Sequence, residues 1–266
     1  MSNEVGLKYY PATHRYRLDG RWIPGVTTIL GVLDKPALKK WAAAQVAEYV
    51  TYNPEAVEAL RTLGPKPMVY ALKEIPWQKR DTAATRGNVL HDHAEQILRG
   101  ETVEVDEEDV DVVNSAVEFM TDWDIRPLLI ETPVVSRAGQ WAGTLDLIAN
   151  YTHPRTGQTG CAVFDWKSGK ALYPEYAWQL NAYAHAEFAM VDDWQEAPIP
   201  ACDAAFGVQI SDDGYTVAPF KFGPDIYAEF LAIRAVYTIV KAGRGDWKKP
   251  GSGHVGLPIE ALQEAM

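Results

Sequence analysis

The stretch that decides the fold lies between residues 141 and 169. It reads WAGTLDLIANY over 141–151, TGQTG over 156–160 and CAVFDWKSG over 161–169. The first and last of these segments are rich in the apolar, β-branched and aromatic residues that favour strands, and glycine with small polar residues between them favours a turn. The stretch therefore predicts two strands, Trp141–Tyr151 and Cys161–Lys167, joined by the turn.

The alternation of side chains along these strands gives the segment its chemistry. Successive side chains of a strand point to opposite faces, so Asp165 and Lys167 share one face while Phe164 and Trp166 lie on the other. Pairing of the two strands brings Asp146 beside Asp165, with Lys167 one pleat away.

Two adjacent carboxylates are difficult to keep ionised without a cation, so Asp146 and Asp165 indicate a divalent metal site. Mg²⁺ and Mn²⁺ prefer oxygen ligands and accept water or phosphate oxygens in the same shell. Lys167 can orient an attacking water or stabilise charge on a phosphoryl group. A lone Asp-x-Lys is usually a surface ion pair on an edge strand, so the surrounding motifs must support the metal site.

Two neighbouring features supply that context. Gln179 and Tyr183 are spaced i, i+4 on the helix expected after the second strand, so they share a face, although packing alone would explain this spacing. Ser168, Gly169 and Lys170 follow the strand directly. The glycine there lets a phosphate backbone approach closely, and Lys170 can contact it, although the segment also fits a plain turn.

The remaining chain predicts an α/β protein. A hairpin or meander is expected over 7–23, and Gly64–Pro67 is expected to be an exposed loop. Further strands are expected over 129–136, 203–210 and 214–221, and helices over 36–50, 54–63, 77–99, 107–123, 174–191 and 224–242. We therefore expect an N-terminal hairpin and helical portion (1–76), a core with a mixed central sheet flanked by helices (77–243) and a flexible tail (244–266).

Composition limits the function classes. The formal net charge of −11 argues against a nonspecific nucleic-acid binder but allows a metal-dependent enzyme with local basic patches. The two cysteines have no metal-site spacing, which excludes an iron–sulfur cluster or a cysteine zinc site. No segment suggests a signal peptide or a membrane span, so a cytoplasmic location without membrane contact is expected.

The motifs Gly-Thr-Leu-Asp (143–146), Asp-Trp-Lys-Ser-Gly (165–169) and Gln-x-x-x-Tyr (179–183) resemble the signature of the RecB-type exonuclease branch of the PD-(D/E)XK nuclease superfamily. The branch also carries a helix with Gly-x-x-x-His-x-x-x-Glu, and residues 87–95 fit it. Pro24–Thr28 is similar to a segment of its phage and mitochondrial members. The resemblance implies a restriction-endonuclease-like fold.

The resemblance also implies roles for matching residues. His91, Asp146 and Asp165 would bind metal, with Glu95 as a further ligand. The resemblance makes Lys167 the catalytic lysine, with Gln179 and Tyr183 organising the catalytic site. DNA contacts are expected from Ser168, Lys170, Arg86, Thr27 and Thr28, although the two threonines would serve equally as caps of a helix start.

Three departures from the family pattern stand out. The four cluster-binding cysteines of many relatives are absent, Leu145 stands where the superfamily's proline is expected, and the Asp-x-Lys motif has Asp rather than Glu. The resemblance therefore implies a member of the branch without a cluster, and it leaves the ligand set open.

The expected function is hydrolysis of single-stranded DNA or DNA ends by a Mg²⁺- or Mn²⁺-dependent exonuclease in recombination, repair or phage DNA processing, with recombination or replication proteins as partners. An endonuclease of the same fold is an alternative. His91-Asp92 suggests a rival, an HD-type metal phosphohydrolase, which would leave Asp165-Trp166-Lys167 unexplained. A DNA-binding protein on a degenerate nuclease fold is the rival from another class.

Overall fold

A computed structural model of the chain describes residues 6–167 and 171–246, and within them the strands form two sheets. The N-terminal sheet is an antiparallel meander, as the sequence predicted. It consists of β1 (Leu7–Tyr10), β2 (Arg15–Leu18) and β3 (Arg21–Ile23).

The central sheet is mixed and contains the strand pair that carries Asp146 and Asp165. Its strands are β4 (Arg126–Ser136), β5 (Trp141–Thr152), β6 (Thr159–Lys167), β7 (Phe188–Val191), β8 (Gln195–Ala197), β9 (Ala204–Ser211) and β10 (Gly214–Phe220). Their order is β10-β9-β6-β5-β4-β7-β8. The β6–β9 pairing is parallel and the other pairings are antiparallel. The class is therefore α/β with a large mixed sheet, as expected.

Five α-helices of the described residues lie between β3 and β4 in the sequence, one lies between β6 and β7, and one follows β10. They are α1 (Val26–Leu30), α2 (Pro36–Tyr52), α3 (Pro54–Thr62), α4 (Pro65–Leu98), α5 (Val110–Asp122), α6 (Glu175–Ala184) and α7 (Pro224–Asp246). Helix α5 contacts β9 and β10, while α6 contacts β6 on the face that carries Asp165. In the described residues, none of the helices is both long and apolar enough to cross a bilayer.

An aromatic cluster fixes α5 to its face of the sheet. Phe119 of α5 makes edge contacts with Phe164 and Trp166 of β6, with ring centroids 5.9 and 5.6 Å apart. Burial of aromatic side chains is a large stabilising contribution to a core. The strand alternation predicted for β6 is therefore confirmed, because its aromatic residues enter the core and its charged residues face the other way.

The N-terminal sheet packs against the central sheet through its apolar side. Leu7, Tyr16, Leu18 and Ile23 share a buried cluster with Val135, Ala142, Phe188 and Met190. The chain then enters α1 beside β5, where the Ala142 N–H donates to the Pro24 carbonyl at 3.1 Å. This attachment fixes β1–β3 next to the strands that carry Asp146.

The chain divides into two compact units. One contains residues 1–32 and 91–266, and the other contains 33–90. These boundaries differ from the expected division at 76/77, because the N-terminal meander belongs with the central sheet. The expected flexible tail begins within α7, which ends at Asp246, and residues 247–266 lie outside the described part.

The predicted helix over 174–191 is wrong in its second half. Helix α6 ends at Ala184, and Phe188–Val191 forms β7, which pairs with β4 through Val134 and Val135. The apolar spacing of this segment fits a helix, and no Gly or Pro after Ala184 indicates that the helix ends there. Hydrogen bonding to the open edge of β4 decides the conformation, and a local pattern does not contain that partner.

The predicted loop at Gly64–Pro67 is also wrong. Only Leu63 and Gly64 separate α3 from α4, and Gly64 has a φ of +92° that glycine adopts readily. Helix α4 begins at Pro65, a position that tolerates proline because the first turn needs no N–H donor, and it continues through Pro76. The long helix therefore begins well before the predicted residue 77.

Candidate metal-binding active site

A cleft of about 220 Å³ lies where β5, β6, α1, α6, the C-terminal part of α4 and the N-terminal sheet meet. Its lining is mostly polar in the part formed by the central sheet. The cleft is lined by Tyr9, His14, Tyr16, Gly25, Val26, Thr27, His91, Gly143, Thr144, Asp146, Asp165, Lys167, Gln179 and Tyr183.

Asp146 and Asp165 come together because β5 and β6 separate at this point. The ladder between the two strands ends at the pair Leu147 and Phe164. The next free donor, the Trp166 N–H, donates instead to Asp146 Oδ2 at 2.8 Å. A buried backbone donor must find a partner, so this bond fixes the Asp146 carboxylate at the strand end. The predicted proximity of the two aspartates is confirmed.

Asp165 is buried and held by two neighbours. Lys167 forms an ion pair with its Oδ2, and the Gln179 Nε2 donates to its Oδ1 at 2.8 Å. The same Gln179 nitrogen lies 3.3 Å from the Tyr183 hydroxyl. The predicted i, i+4 face of α6 therefore points at the carboxylate, and it orients Asp165 toward Lys167.

Lys167 is positioned by an aromatic ring as well as by Asp165. Its Nζ lies 4.8 Å from the centroid of the Tyr176 ring, a cation–π arrangement. Burial lowers the pKa of Lys167, but the Asp165 and Asp146 carboxylates outweigh that effect and raise it above its usual value. The ammonium is therefore charged at neutral pH.

His91 approaches the carboxylates from α4. Its Nδ1 lies 3.2 Å from Glu131 Oε1 and 3.8 Å from Asp146 Oδ2. His91, Glu131 and Asp146 each offer a ligand atom, and the three atoms lie within 4.8 Å of one another. We call these three residues the ligand group.

The ligand group fits a divalent cation. It combines one imidazole with two carboxylates, a donor set that suits Mg²⁺, Mn²⁺ and other first-row divalent ions. Asp146 is buried and close to a second buried carboxylate, Asp165, so the crowded negative charge favours a bound cation. The group could therefore hold a metal ion, while its donor set does not single out one metal.

The pKa values reflect the crowding of charge. Burial raises the pKa of Asp165 to about 6, with Lys167 opposing the shift and Asp146 adding to it. Burial also raises the pKa of Asp146. Burial lowers the pKa of His91, but Asp146 and Glu131 more than reverse this and raise it to about 9. Without metal, the positive charge of protonated His91 therefore offsets negative charge on Asp146 and Glu131.

The structure does not bring all predicted ligands together. Asp165 is not in the ligand group, since its carboxylate contacts Lys167 and Gln179. Glu95 lies one turn after His91 but forms an ion pair with Arg99 at 2.9 Å. Metal binding by Asp165 and Glu95 stays a prediction.

The predicted DNA contacts are only partly described. Thr27 lines the cleft, and both Thr27 and Thr28 lie inside α1, whose N-cap is Gly25 without a side-chain hydrogen bond. The threonines therefore do not cap the helix. Ser168 and Lys170 lie outside the described residues, as does the side chain of Arg86.

Glu131 is the member of the ligand group that sequence reasoning missed. It lies in β4 with a φ of +43°, in the left-handed region that non-glycine residues rarely adopt. The available signal was a single carboxylate inside the apolar run 128–130 and 133–135. The cleft-lining Tyr9, His14 and Tyr16 were also missed, because they belong to a meander distant in sequence.

The features behind the rival interpretations lie apart from the ligand group. Asp92, which the HD-type interpretation requires, has an exposed side chain and is not in the group. Cys161 and Cys202 are free thiols with Sγ atoms 4.0 Å apart. The chain contains only these two cysteines, whereas a cysteine-bound cluster requires four.

The site therefore combines a ligand group from α4, β4 and β5 with an Asp–Lys pair from β6 and a Gln–Tyr pair from α6. Comparison of the chain with protein-family models and with curated proteins gives no match.

Proposed function

We propose that this chain is a divalent-metal-dependent deoxyribonuclease with the restriction-endonuclease-like fold of the PD-(D/E)XK superfamily, in its RecB-type branch. It hydrolyses phosphodiester bonds from DNA ends, in recombination, repair or phage DNA processing. The observation that supports this proposal is the convergence of His91, Asp146, Asp165, Lys167 and Gln179 in one cleft. The consecutive elements β5, β6 and α6 provide four of these residues, and α4, which lies earlier in the sequence, provides His91.

His91, Asp146 and Glu131 are the residues that would hold the cation, and Asp165 would be a further ligand. A bound divalent cation supplies Lewis-acid polarisation of a phosphoryl oxygen and lowers the pKa of water. The buried carboxylates also repel an anion placed directly beside them, so the cation favours binding of the scissile phosphate within the cleft.

Lys167 acts on the reacting phosphate. Its ammonium remains charged and lies at the cleft surface of β6, where it can donate hydrogen bonds to a phosphoryl oxygen or to the attacking water. Its two contacts, Asp165 and the Tyr176 ring, limit the directions in which the flexible side chain can extend. Gln179 fixes the Asp165 rotamer and so is a positioning residue.

The proposal is tested with purified chain and end-labelled DNA. Linear single-stranded, linear double-stranded and closed circular DNA are each incubated with Mg²⁺, with Mn²⁺ or with EDTA. We expect metal-dependent release of nucleotides from linear DNA, no product in EDTA and intact circles. Cleavage of closed circles would instead indicate the endonuclease of the same fold.

Binding without cleavage of any DNA form in either metal would overturn the proposal and indicate a DNA-binding protein on a degenerate nuclease fold. An Asp92→Ala variant separates the remaining rival. If Asp92→Ala abolished metal-dependent activity while Asp165→Ala retained it, the HD-type interpretation would be correct.

A further inference from the structure

The outward side of the N-terminal sheet carries a separate concentration of charge and aromatic surface. Lys8, Tyr10, Arg15, Arg17 and Trp22 have side chains that are exposed or half-buried. We call these five residues the basic aromatic face. It consists of three cations and two aromatic rings and includes no carboxylate.

The strand register explains this composition. Lys8 pairs with Arg17, Tyr10 with Arg15, and Arg17 with Trp22, so these residues share one side of the meander. The residues between them, such as Tyr16 and Leu18, point into the buried cluster shared with the central sheet. The period of two therefore separates an apolar side, which attaches the sheet, from a side that faces outward.

Arg15 and Tyr10 both lie close to the Trp22 ring. The Arg15 guanidinium lies 4.0 Å from the centroid of the Trp22 ring, and the Tyr10 and Trp22 centroids are 5.1 Å apart. Trp22 nevertheless remains 50% exposed, although tryptophan is highly buried on average. An exposed ring among cations is the arrangement that stacks on bases while arginines contact phosphates.

Charge distinguishes this face from the chain as a whole. The formal net charge is −11, yet residues 7–23 include Lys8, Arg15, Arg17 and Arg21 and one carboxylate, Asp19. That carboxylate is engaged elsewhere, since it accepts the Gly6 N–H at 2.8 Å and lies 3.6 Å from Arg137 Nε. A local positive surface on an acidic protein attracts polyanions to that surface only.

The sheet that carries the face also contributes to the wall of the cleft. Tyr9 and His14 line the cleft, and the pair Tyr10 and Arg15 of the face follows each of them directly in sequence. Tyr9 and Tyr16 stack with centroids 5.0 Å apart, and the Tyr9 hydroxyl lies 3.1 Å from His14 Nδ1. The basic aromatic face and part of the cleft wall therefore belong to opposite sides of the same small sheet.

We propose that the basic aromatic face binds a single-stranded segment of nucleic acid on the sheet that forms part of the cleft wall. Bases stack on Trp22 and Tyr10, while Arg15, Arg17 and Lys8 contact the phosphates. A duplex keeps its bases stacked on each other and cannot use the rings, so the face selects single strands. The inference rests on the proposed function for its choice of ligand.

The test is fluorescence anisotropy of a 5′-labelled 20-nucleotide oligo(dT) with the full chain in EDTA, so that no cleavage occurs. We expect Trp22→Ala to weaken binding about tenfold, the loss expected for one stacked base. Trp194→Ala is the matched control, because Trp194 is exposed to a similar degree, 52%, but lies between β7 and β8. It should bind as the wild type does.

The arginines are tested through salt. Removal of one phosphate-binding side chain should reduce the slope of log K against log[salt] by roughly 0.7 for a single strand. We expect this change for Arg15→Gln and Arg17→Gln. Arg126→Gln is the control, since Arg126 is exposed and pairs with Asp124 at the start of β4.

Three results would overturn the inference: unchanged binding by Trp22→Ala, equal affinity for a 20-base-pair duplex, or displacement of the oligonucleotide by poly-glutamate at equal charge concentration. The outcome is independent of the nuclease assay. If the chain cleaves DNA but Trp22→Ala binds the oligonucleotide as the wild type does, the proposed function stands and this inference is contradicted. Oligonucleotide binding that depends on Trp22, without any DNA cleavage, would support this inference and contradict the proposed nuclease function.

Discussion

Glu131 has the least favourable backbone conformation among the residues of the ligand group. A left-handed φ costs an L-residue about 1–2 kcal/mol, and Glu131 adopts it within a strand. Its two neighbours in β4 keep their pairing with β5, while Glu131 turns its carboxylate to His91. Unfavourable conformations of this kind concentrate at functional sites, which agrees with a role for Glu131 in holding a cation.

Replacement of Glu131 by Gln should weaken Mn²⁺ binding at least about tenfold, because it removes an anionic ligand. Isothermal titration calorimetry of wild type and variant measures the change. Glu95→Gln is the matched control, because Glu95 pairs with Arg99 outside the ligand group. A larger loss for Glu95→Gln than for Glu131→Gln would assign the ligand to Glu95, as the sequence motif predicted.

The raised pKa of His91 predicts that metal binding releases a proton. At pH 7.5 the metal-free imidazole, with a pKa of about 9, is protonated, and a metal ligand must be neutral. Calorimetry in buffers of different ionisation enthalpy should therefore detect release of about one proton per Mn²⁺. His91→Gln should release none.

The same shift links the stability of the metal-free chain to pH. The folded-state pKa of His91 lies above its ordinary value of 6.5. Its contribution to stability is therefore complete below pH 6.5 and is lost as the pH rises through about 9. In the calorimetry described above, binding of Mn²⁺ by the wild type without proton release at pH 7.5 would contradict the protonated state assigned to metal-free His91.

At the scale of elements, the site depends on close packing of β5 against α6 and α1. A Cβ atom at Gly143 would lie 2.5 Å from Tyr183 Cε1 and 3.2 Å from Val26 Cγ2. The glycine of the Gly-Thr-Leu-Asp motif therefore has a packing role, because only a hydrogen fits between the strand and the Tyr183 ring.

Gly143→Ala should destabilise the chain by about 1–3 kcal/mol, as overpacking does, and displace Tyr183 from Gln179. Urea unfolding followed by circular dichroism measures the stability change. Gly157→Ala controls for loss of a glycine outside the site, although its φ of +69° adds backbone strain. If Gly143→Ala were as stable as the wild type, the packing role of Gly143 would be contradicted, because the Tyr183 ring could then move aside without cost.

Elements also show what the sequence could predict. The strands β5 and β6 and the common face of Asp165 and Lys167 follow from alternation, which is local. The strand β7 does not, because its conformation depends on the open edge of β4. The role of Glu131 could not be predicted either, since its position in the site requires a backbone conformation that strand patterns do not contain.

At the scale of the whole molecule, the charged groups have separate places. The unit formed by residues 1–32 and 91–266 contains the N-terminal sheet, the central sheet and the ligand group. Within it, carboxylates gather where β5 and β6 separate, while the cations of the meander lie on its outward side. Net charge, read from composition alone, predicted neither location.

The central claim, that the cleft carries out metal-dependent DNA hydrolysis, is tested most directly at Lys167. Single-turnover cleavage of end-labelled linear single-stranded DNA is measured in Mg²⁺ and in Mn²⁺ for wild type, Lys167→Ala and Lys221→Ala, with DNA binding checked in parallel. Lys221 is exposed and lies outside the cleft. We predict cleavage by wild type and Lys221→Ala and a loss of about a hundredfold or more in Lys167→Ala with binding retained. Equal cleavage rates for wild type and Lys167→Ala would contradict the account.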